Sequence, residues 1–209
     1  MRFENTSVYN IYNAILGARN PMNSWNKSDS VFNGFNGKIE STVIGKNDLA
    51  LMQKLIKAGS EHRKFLRQIF VAVDITAPLY WWKEADTYKV GTVSNSTSTM
   101  HKLASTPITM DCFEMDDYCG FFEIQWKNLI ALLEQCRKEY NETKDKRYWK
   151  ELIRLLPESW LQKRTITMNY ENILNMYRQR KNHKLTEWSK SFCDWVKTLP
   201  YAEELICLE

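Results

Sequence analysis

Apolar residues recur at helical spacing along most of the chain and alternate with polar residues in two short segments. The helical segments read "SVYNIYNAILGA" with Ser7 as its N-cap, "NDLALMQKLIKAG", "LYWWKEADTYK", "FFEIQWKNLIALLEQCRKEY", "RYWKELIRLLP", "ENILNMYRQRK" and "LTEWSKSFCDWVKTL". The alternating, β-branched segments "RQIFVAVDITAP" and "QKRTITMNY" predict strands. Residues 20–46, rich in Asn, Gly and Ser, predict a long irregular excursion. The pattern therefore predicts one α+β domain over residues 1–209.

Composition and charge narrow the class of protein. A hydrophobic content of 44% and an aromatic content of 13% indicate a packed globular chain rather than a disordered one. The 29 basic and 25 acidic residues leave a net charge of +4, which is too small to indicate a nucleic-acid binder by itself. The sequence lacks an apolar run of membrane-spanning length, and its start lacks the apolar core of a signal peptide. These features predict a cytoplasmic protein.

The cysteines do not form a metal or redox motif. Five cysteines are scattered singly without a Cys-x-x-Cys pair, and three histidines are dispersed. Zinc sites need clustered ligands, and an odd number of cysteines argues for free thiols. We expect no metal site.

The segment "DTYKVGTVSNSTST", residues 86–99, is the most unusual stretch of the chain. Seven of its fourteen residues are Ser or Thr, and it follows an aromatic-rich helix. Hydroxyls and backbone amides gathered in a loop can hold a phosphate. The same composition can also form a solvated linker that binds nothing.

The sequence around this segment, from "RQIFVAVDITAP" to "STMHKL", resembles the flavin-dependent thymidylate synthases. In that family a strand ends in Ala-Pro, a helix carries Arg-Gln, and the signature RHRxxSxNxxSxR follows. Here Ala77-Pro78 ends the strand. The residues that fall on Arg-Gln and on the specified signature positions are, in order, Lys83, Glu84, Thr87, Tyr88, Lys89, Thr92, Ser94, Thr97 and Thr99.

A second block, "LLPESWLQKRTITMNYENILNMYRQRK", is similar to a later segment of the same family. Leu156-Pro157, Asn169, Ile173 and Arg180 keep the family's pattern, and Glu171 falls on its arginine. His62 falls on a family histidine near the flavin when residues are counted back from Ala77-Pro78; its other interpretation is a solvated residue in a turn.

The resemblance implies helices packed on a small, mostly antiparallel sheet, a homotetramer, FAD as a possible cofactor, and a nucleotide site shared between subunits. In the family, a folate methylene is transferred to dUMP with reduced flavin as the hydride source. Thr87 and Thr99 stand where the family has arginines, so the planar hydrogen-bond donors and the permanent positive charge of those arginines are absent here. At a third arginine position, Glu171 has the opposite charge. We therefore expect a divergent protein that binds a nucleotide or flavin and does not make thymidylate. The alternative is a catalytically silent oligomeric interaction or structural protein on the same fold.

Three weaker features have two interpretations each. The tryptophans at 81, 82, 188 and 195 can stack on bases or a flavin, but the helical spacing of the tryptophans favours packing in the core and at subunit interfaces. The basic run "RQRKNHK", residues 178–184, can contact nucleic acid, but a helix C-terminus explains it more simply. The acidic residues within "DCFEMDDYCG" suit the start of a helix better than a metal or acid-base site.

Overall fold

The computed structural model describes residues 1–35 and 38–208, and these form an α+β fold. Its strands are β1 (Arg2–Tyr9), β2 (Val31–Phe35), β3 (Lys38–Val43), β4 (Phe70–Pro78), β5 (Val93–Ser96) and β6 (Leu161–Asn169). Its α-helices are α1 (Ile11–Arg19), α2 (Lys46–Lys57), α3 (Leu79–Ala85), α4 (Thr99–Lys102), α5 (Glu123–Thr143), α6 (Lys146–Leu155), α7 (Tyr170–Arg180), α8 (Cys193–Lys197) and α9 (Ala202–Leu205). A π-helix, Glu187–Phe192, precedes α8.

The main sheet has four strands in the order β1-β4-β6-β5. The two strands predicted from sequence are its central pair, β4 and β6. A separate antiparallel hairpin pairs β2 with β3 from Val31 opposite Val43 to Phe35 opposite Lys38, with an irregularity between Asn33 and Gly34. The α+β class with a small antiparallel sheet is confirmed.

The first predicted helix begins later than the sequence pattern suggested. Ser7 lies inside β1, and α1 begins at Ile11. The break falls at Asn10, whose φ of 72° is in the left-handed region that asparagine tolerates better than most residues. Ser7 is therefore not an N-cap, because residues 2–9 pair in the sheet instead of starting the helix.

Residues 20–46 contain regular structure, so the prediction of an irregular excursion was wrong where the chain is described; residues 36 and 37 lie outside the described residues. Short 3₁₀ turns at Asn20–Met22 and Trp25–Lys27 precede the β2–β3 hairpin. The Asp29 carboxylate then accepts hydrogen bonds from the backbone N–H of Asn47 at 2.9 Å and of Asp48 at 3.1 Å. Asp29, which lies in this segment, thus caps the start of α2.

The Asp48 side chain organises this segment from inside. It is 1% exposed, and its Oδ1 accepts a hydrogen bond from Nε of the buried Arg19 at 2.5 Å. Its Oδ2 accepts from the hydroxyls of Ser28 at 2.7 Å and Ser30 at 2.5 Å and from the backbone N–H of Ser30 at 3.1 Å. A buried carboxylate paired in this way gives a polar segment a fixed conformation.

The chain forms two compact units, each assembled from three segments. Unit 1 comprises residues 1–2, 75–87 and 95–165, and unit 2 comprises residues 3–74, 88–94 and 166–209. The core cluster of unit 1 is Leu103, Ile108, Phe113, Leu133, Cys136 and Leu152.

Unit 2 joins residues that are far apart in sequence. The rings of Phe3 and Trp195 stack with centroids 4.8 Å apart, and Trp195 Nε1 donates a hydrogen bond to Thr6 Oγ1 at 3.1 Å. The hydroxyl of Tyr201 accepts a hydrogen bond from the backbone N–H of Ile44 at 2.9 Å. The prediction of one domain over the whole chain stays a prediction.

Four tryptophans, for which the sequence favoured packing in the core or at a subunit interface, are buried in this structure. Trp81, Trp82 and Trp188 are at most 1% exposed, and Trp195 is 6% exposed. Within the described part of the chain, no helix combines the length and the apolar character that crossing a membrane requires.

Candidate functional site

A cavity of about 520 Å³ in unit 2 includes His62 in its wall. It is lined by Gly17, Ala18, Asn20, Pro21, Met22, Ser24, Leu51, Leu55, Glu61, His62, Lys64, Phe65 and Gln68. These residues come from α1 and the turn after it, from α2, and from the turn and 3₁₀ segment that lead into β4. The volume is in the range of small-molecule sites, and the walls combine apolar side chains with a few polar groups, as such sites do.

Close packing on α1 forms one side of this cavity. A Cβ atom at Gly17 would lie 2.8 Å from Oε1 of Gln68, so a larger residue would displace that amide. His62 follows α2 in a turn, where its backbone N–H donates to the carbonyl of Gly59 at 3.1 Å. Gly59 permits the turn because its φ is 109°, a conformation that favours glycine. The exposed imidazole is therefore held at the cavity wall by local backbone structure.

Glu171 lies one residue into α7 and forms a buried ion cluster with two arginines. It is 6% exposed and accepts hydrogen bonds from Nε of Arg63 at 3.0 Å and from Nε of Arg67. Arg63 also donates from Nη2 to Oδ1 of Asn175 at 3.1 Å. Burial alone would raise the pKa of Glu171, but the hydrogen bonds and charges of Arg67 and Arg63 lower it overall.

This cluster changes the interpretation of Glu171. The sequence suggested that its carboxylate repels a phosphate. In the structure the carboxylate is shared by two guanidinium groups, so this part of unit 2 carries more positive than negative charge. Sequence reasoning missed Arg63 as a partner of Glu171. The four-residue spacing of Arg63 and Arg67 before β4 is the signal that could have drawn attention to it.

Arg180, at the end of α7, contacts two aromatic side chains of unit 2. Its guanidinium carbon lies 5.5 Å from the ring centroid of Tyr88 and 5.4 Å from that of Trp188. Its Nε donates to the hydroxyl of Tyr88 at 2.8 Å, and that hydroxyl donates to Oε1 of Gln179 at 2.7 Å. The structure thus places Tyr88 and Arg180, both candidate ligand-binding residues, in contact with each other.

The loop that carries Tyr88 docks on the start of α7. Asn172 donates from Nδ2 to the carbonyl of Val90 at 2.7 Å. Gly91 has a φ of 75°, and a Cβ atom there would lie 3.1 Å from Nδ2 of Asn169. Thr92 donates from its hydroxyl to the carbonyl of Tyr88 at 3.2 Å. The hydroxyl and amide groups of this part of the segment therefore stabilise a turn.

Lys89 has an exposed side chain in the same loop, and Ser94 is exposed in β5, the strand that follows it. Among the residues that the structure describes, no carboxylate pairs with the Lys89 ammonium group. Lys89 therefore remains accessible to an anionic ligand.

The remaining predicted site residues belong to unit 1. Lys83 pairs with Glu158 at 2.6 Å between exposed side chains, and the hydroxyl of Thr87 donates to the carbonyl of Glu84 at 2.7 Å. Gln162 Nε2, at the start of β6, donates to the carbonyl of Thr97 at 2.9 Å. The same amide nitrogen lies 3.5 Å from the hydroxyl of Thr99. These contacts fix the local backbone within unit 1.

The cysteines of the described chain are free, and no group of three or more potential metal ligands occurs among the described residues. Burial raises the pKa of the Cys193 thiol to about 11, the opposite of what a reactive thiolate requires.

Two solved structures resemble this chain over its whole length. They are the flavin-dependent thymidylate synthase ThyX and thymidylate synthase X (ThyX), both from Helicobacter pylori with FAD and dUMP bound. One covers 100% of this chain and 100% of its own, with a TM-score of 0.74 and 16% sequence identity. The other, with the same TM-score and identity, covers 99% of this chain and 97% of its own. No protein-family model and no curated protein sequence matches the chain. The fold inferred from the two sequence blocks is thus confirmed.

Proposed function

We propose that this chain is a divergent flavin-dependent thymidylate synthase-like protein that binds a flavin or nucleotide and does not make thymidylate. The observation that carries the proposal is the cavity with His62 in its wall, in a chain whose fold matches enzymes that hold FAD and dUMP. The ligand would be bound without metal, and any catalysis would be a flavin-dependent modification of a nucleotide.

The cavity fits the ring system of a flavin. Flat aromatic ligands need apolar walls and a few polar groups that fix their orientation. Leu51, Leu55 and Phe65 supply apolar surface, while His62 and Gln68 supply hydrogen-bonding groups. A bound flavin would supply hydride or electron transfer; the chain's own residues would orient the ring and exclude water from it.

The residues at the family's cationic positions support the loss of thymidylate synthesis. Thr87 and Thr99 carry no charge, and the guanidinium of Arg180 is engaged in cation–π contacts with Tyr88 and Trp188. Glu171 is engaged with Arg63 and Arg67. Because the reaction needs both flavin and nucleotide held rigidly, weaker binding and lost orientation would compound each other.

Flavin binding is tested by the visible absorbance of freshly purified protein and by calorimetric titration with FAD. Replacing Leu55 with tryptophan would fill the cavity and should abolish binding, while circular dichroism confirms that the variant is folded. His62→Ala should weaken FAD binding about tenfold, which corresponds to a loss of roughly 1.4 kcal/mol of binding free energy. His101→Ala, at another exposed histidine, is the matched control. Equal FAD affinity in all three variants and the unmodified chain would contradict this cavity as the site.

Loss of thymidylate synthesis is tested separately. We expect no growth of a thymidine-requiring bacterial strain that expresses the chain without added thymidine. We also expect no turnover in an assay with dUMP, methylene-folate, FAD and NADPH. Lys89→Ala should lower the affinity for any bound nucleotide about tenfold, since charged hydrogen bonds contribute roughly 1.5–3 kcal/mol of binding free energy. Sustained growth or turnover would refute the proposed loss of activity without excluding flavin binding.

A second candidate function rests on exposed apolar surface at the start of α5. Phe121 is 80% exposed, Phe122 is 51% exposed and Ile124 is 59% exposed. Apolar side chains in contiguous sequence at a protein surface mark interaction sites. A catalytically silent oligomeric interaction protein is therefore the alternative, and it predicts self-association in protein that takes up neither FAD nor nucleotide.

A further inference from the structure

We infer that the side-chain carboxamide of Gln68 recognises the imide edge of a flavin ring bound in the cavity of unit 2. The inference rests on the proposed function, and it names the polar group that selects and orients the ring. It is carried by the available hydrogen-bonding groups of Gln68, by the close approach of Gly17 to its amide, and by the distribution of apolar surface in the cavity.

The carboxamide of Gln68 lines the cavity with its hydrogen-bonding groups available. The backbone carbonyl of Gln68 accepts a hydrogen bond from Nδ2 of Asn10 at 2.9 Å, but its side-chain amide makes no hydrogen bond to another residue that the structure describes. The other carboxamide in the wall, that of Asn20, accepts from Nε1 of Trp25 at 2.8 Å. Gln68 therefore offers an acceptor oxygen and a donor nitrogen to a ligand.

Gly17 provides the room for this amide. It lies within α1, where glycine is less favourable than any residue except proline. A Cβ atom at Gly17 would lie 2.8 Å from Oε1, 3.7 Å from Cδ and 3.9 Å from Nε2 of Gln68. An alanine would therefore make a better helix, but it would displace the carboxamide from the wall. A glycine inside a helix has a packing or functional reason, and here that reason is the position of the Gln68 amide.

The distribution of apolar surface favours a ring with one apolar edge and one polar edge. Phe65 is 3% exposed, and Leu51 and Leu55 are half-buried. Gln68, by contrast, is exposed. A flavin has a dimethylbenzene edge, which suits the apolar walls, and an opposite imide edge with one N–H between two carbonyl groups. Adenine has polar nitrogens along its edges, and burying them without partners costs free energy.

A carboxamide and an imide are complementary in their hydrogen bonding. The amide oxygen accepts from the imide N–H while the amide nitrogen donates to an adjacent carbonyl, so two hydrogen bonds form side by side. A site built around such a pair rejects an analogue that lacks the N–H, because its own polar group is then left unpaired. Uracil has the same imide, so the recognised chemistry is a cyclic imide, and separate ligands distinguish its two sources.

The test compares lumiflavin, which is the flavin ring without its ribityl chain, with 3-methyllumiflavin, in which a methyl group replaces the imide hydrogen. Fluorescence titration should show that the unmodified chain binds 3-methyllumiflavin about tenfold more weakly. Gln68→Met keeps the length of the side chain but should bind lumiflavin about tenfold more weakly and should not distinguish the two ligands. Gln135→Met is the matched control, because Gln135 is an exposed glutamine outside the cavity, and it should behave like the unmodified chain.

Gly17→Ala gives a second measurement, in which stability and binding respond in opposite directions. The variant should unfold at the same or a higher temperature than the unmodified chain, because alanine favours the helix. It should nevertheless lose the preference for lumiflavin over 3-methyllumiflavin. A lower unfolding temperature with an unchanged preference would show that Gly17 only packs, and it would overturn the inference.

The outcomes separate this inference from the proposed function. If the unmodified chain binds lumiflavin and 3-methyllumiflavin equally, or if Gln68→Met keeps the preference, the inference is overturned while flavin binding stands. If uridine binds in place of lumiflavin, and 3-methyluridine and Gln68→Met each weaken that binding, imide recognition is supported and flavin binding fails. If Gln68→Met weakens adenosine instead of lumiflavin, an adenine occupies this position and the inference is overturned. It is also overturned if neither lumiflavin nor uridine binds, and the FAD titration then decides the proposed function by itself.

Discussion

Replacing Glu171 with arginine, which the thymidylate synthase pattern has at this position, is expected to destabilise unit 2 instead of restoring a ligand site. Glu171 is 6% exposed and accepts hydrogen bonds from Arg63 and Arg67. The substitution removes the carboxylate between two guanidinium groups and puts a third guanidinium in its place. It therefore converts two attractive contacts into two repulsive ones.

The magnitude follows from the burial of each partner. Breaking a buried ion pair costs about 3–5 kcal/mol, and this applies to Arg63, whose side chain is 12% exposed. The side chain of Arg67 is 50% exposed, so its pair is closer to a surface contact worth about 0–1 kcal/mol. Repulsion between like charges about 4 Å apart adds up to about 4 kcal/mol, part of which Arg67 relieves by turning into solvent. A loss of roughly 5 kcal/mol is comparable with the whole stability of many domains, about 5–15 kcal/mol.

The assay is urea-induced unfolding followed by tryptophan fluorescence and far-ultraviolet circular dichroism. Glu158→Arg is the control, since Glu158 pairs with Lys83 at a site where both side chains are exposed. This variant should lose no more than about 1 kcal/mol of the free energy of unfolding. The double variant Glu171→Arg with Arg67→Glu should recover part of the stability, because one opposite-charge contact is restored. If the free energy of unfolding of Glu171→Arg lies within about 1 kcal/mol of that of the unmodified chain, the cluster contributes little to stability and the reasoning fails.

Four other predictions follow from individual contacts. Asp48→Asn should lower the free energy of unfolding by about 3–5 kcal/mol, because it leaves the buried Arg19 unpaired; a urea midpoint close to that of the unmodified chain would contradict this. The pKa values of Asp48 and Glu171 are lowered on folding, so their contribution to stability is present above about pH 4 and is lost as pH falls through the folded values; unfolding measured at decreasing pH checks this, and stability that rises below pH 4 would refute it. Gly91→Ala should cost about 1–2 kcal/mol, since φ is 75° there, whereas Gly120→Ala, where a Cβ atom meets no neighbour, should be nearly neutral in the same unfolding assay. The protein should form a homo-oligomer, expected to be a tetramer, and light scattering that gives the mass of a single chain at micromolar concentration would contradict this.

The sequence predicted the elements whose pattern is strong and local. β4 and β6 are β-branched and alternate, and α5 and α7 have apolar residues at helical spacing, so each is found close to its predicted place. Segment 20–46 could not be predicted in this way. Its structure depends on Asp29 and Asp48, whose partners lie many residues away and leave no periodic signal.

The sequence supplied candidate site residues by position, but it could not show which side chains they contact. Alignment of the two motif blocks identified Tyr88 and Arg180, which the structure places together. It could not show that Arg180 stacks on Tyr88 and Trp188, because cation–π packing depends on the tertiary position of Trp188. Likewise the charge of Glu171 was evident from the sequence, but its neutralisation by Arg63, 108 residues away, was not.

The pairing of Phe3 and Thr6 with Trp195 has a consequence for synthesis on the ribosome. Thr6 and Trp195 are 189 residues apart. Since translation adds about 5–20 residues per second, Trp195 is synthesised on the order of ten seconds or more after Thr6. Tyr201, which accepts a hydrogen bond from Ile44, is likewise synthesised long after it. During that interval the nascent chain exposes Phe3 and the surface that the last helices will cover. Unit 2 therefore completes its folding only after its C-terminal helices emerge, which makes the emerging chain a natural client for chaperones that shield apolar segments.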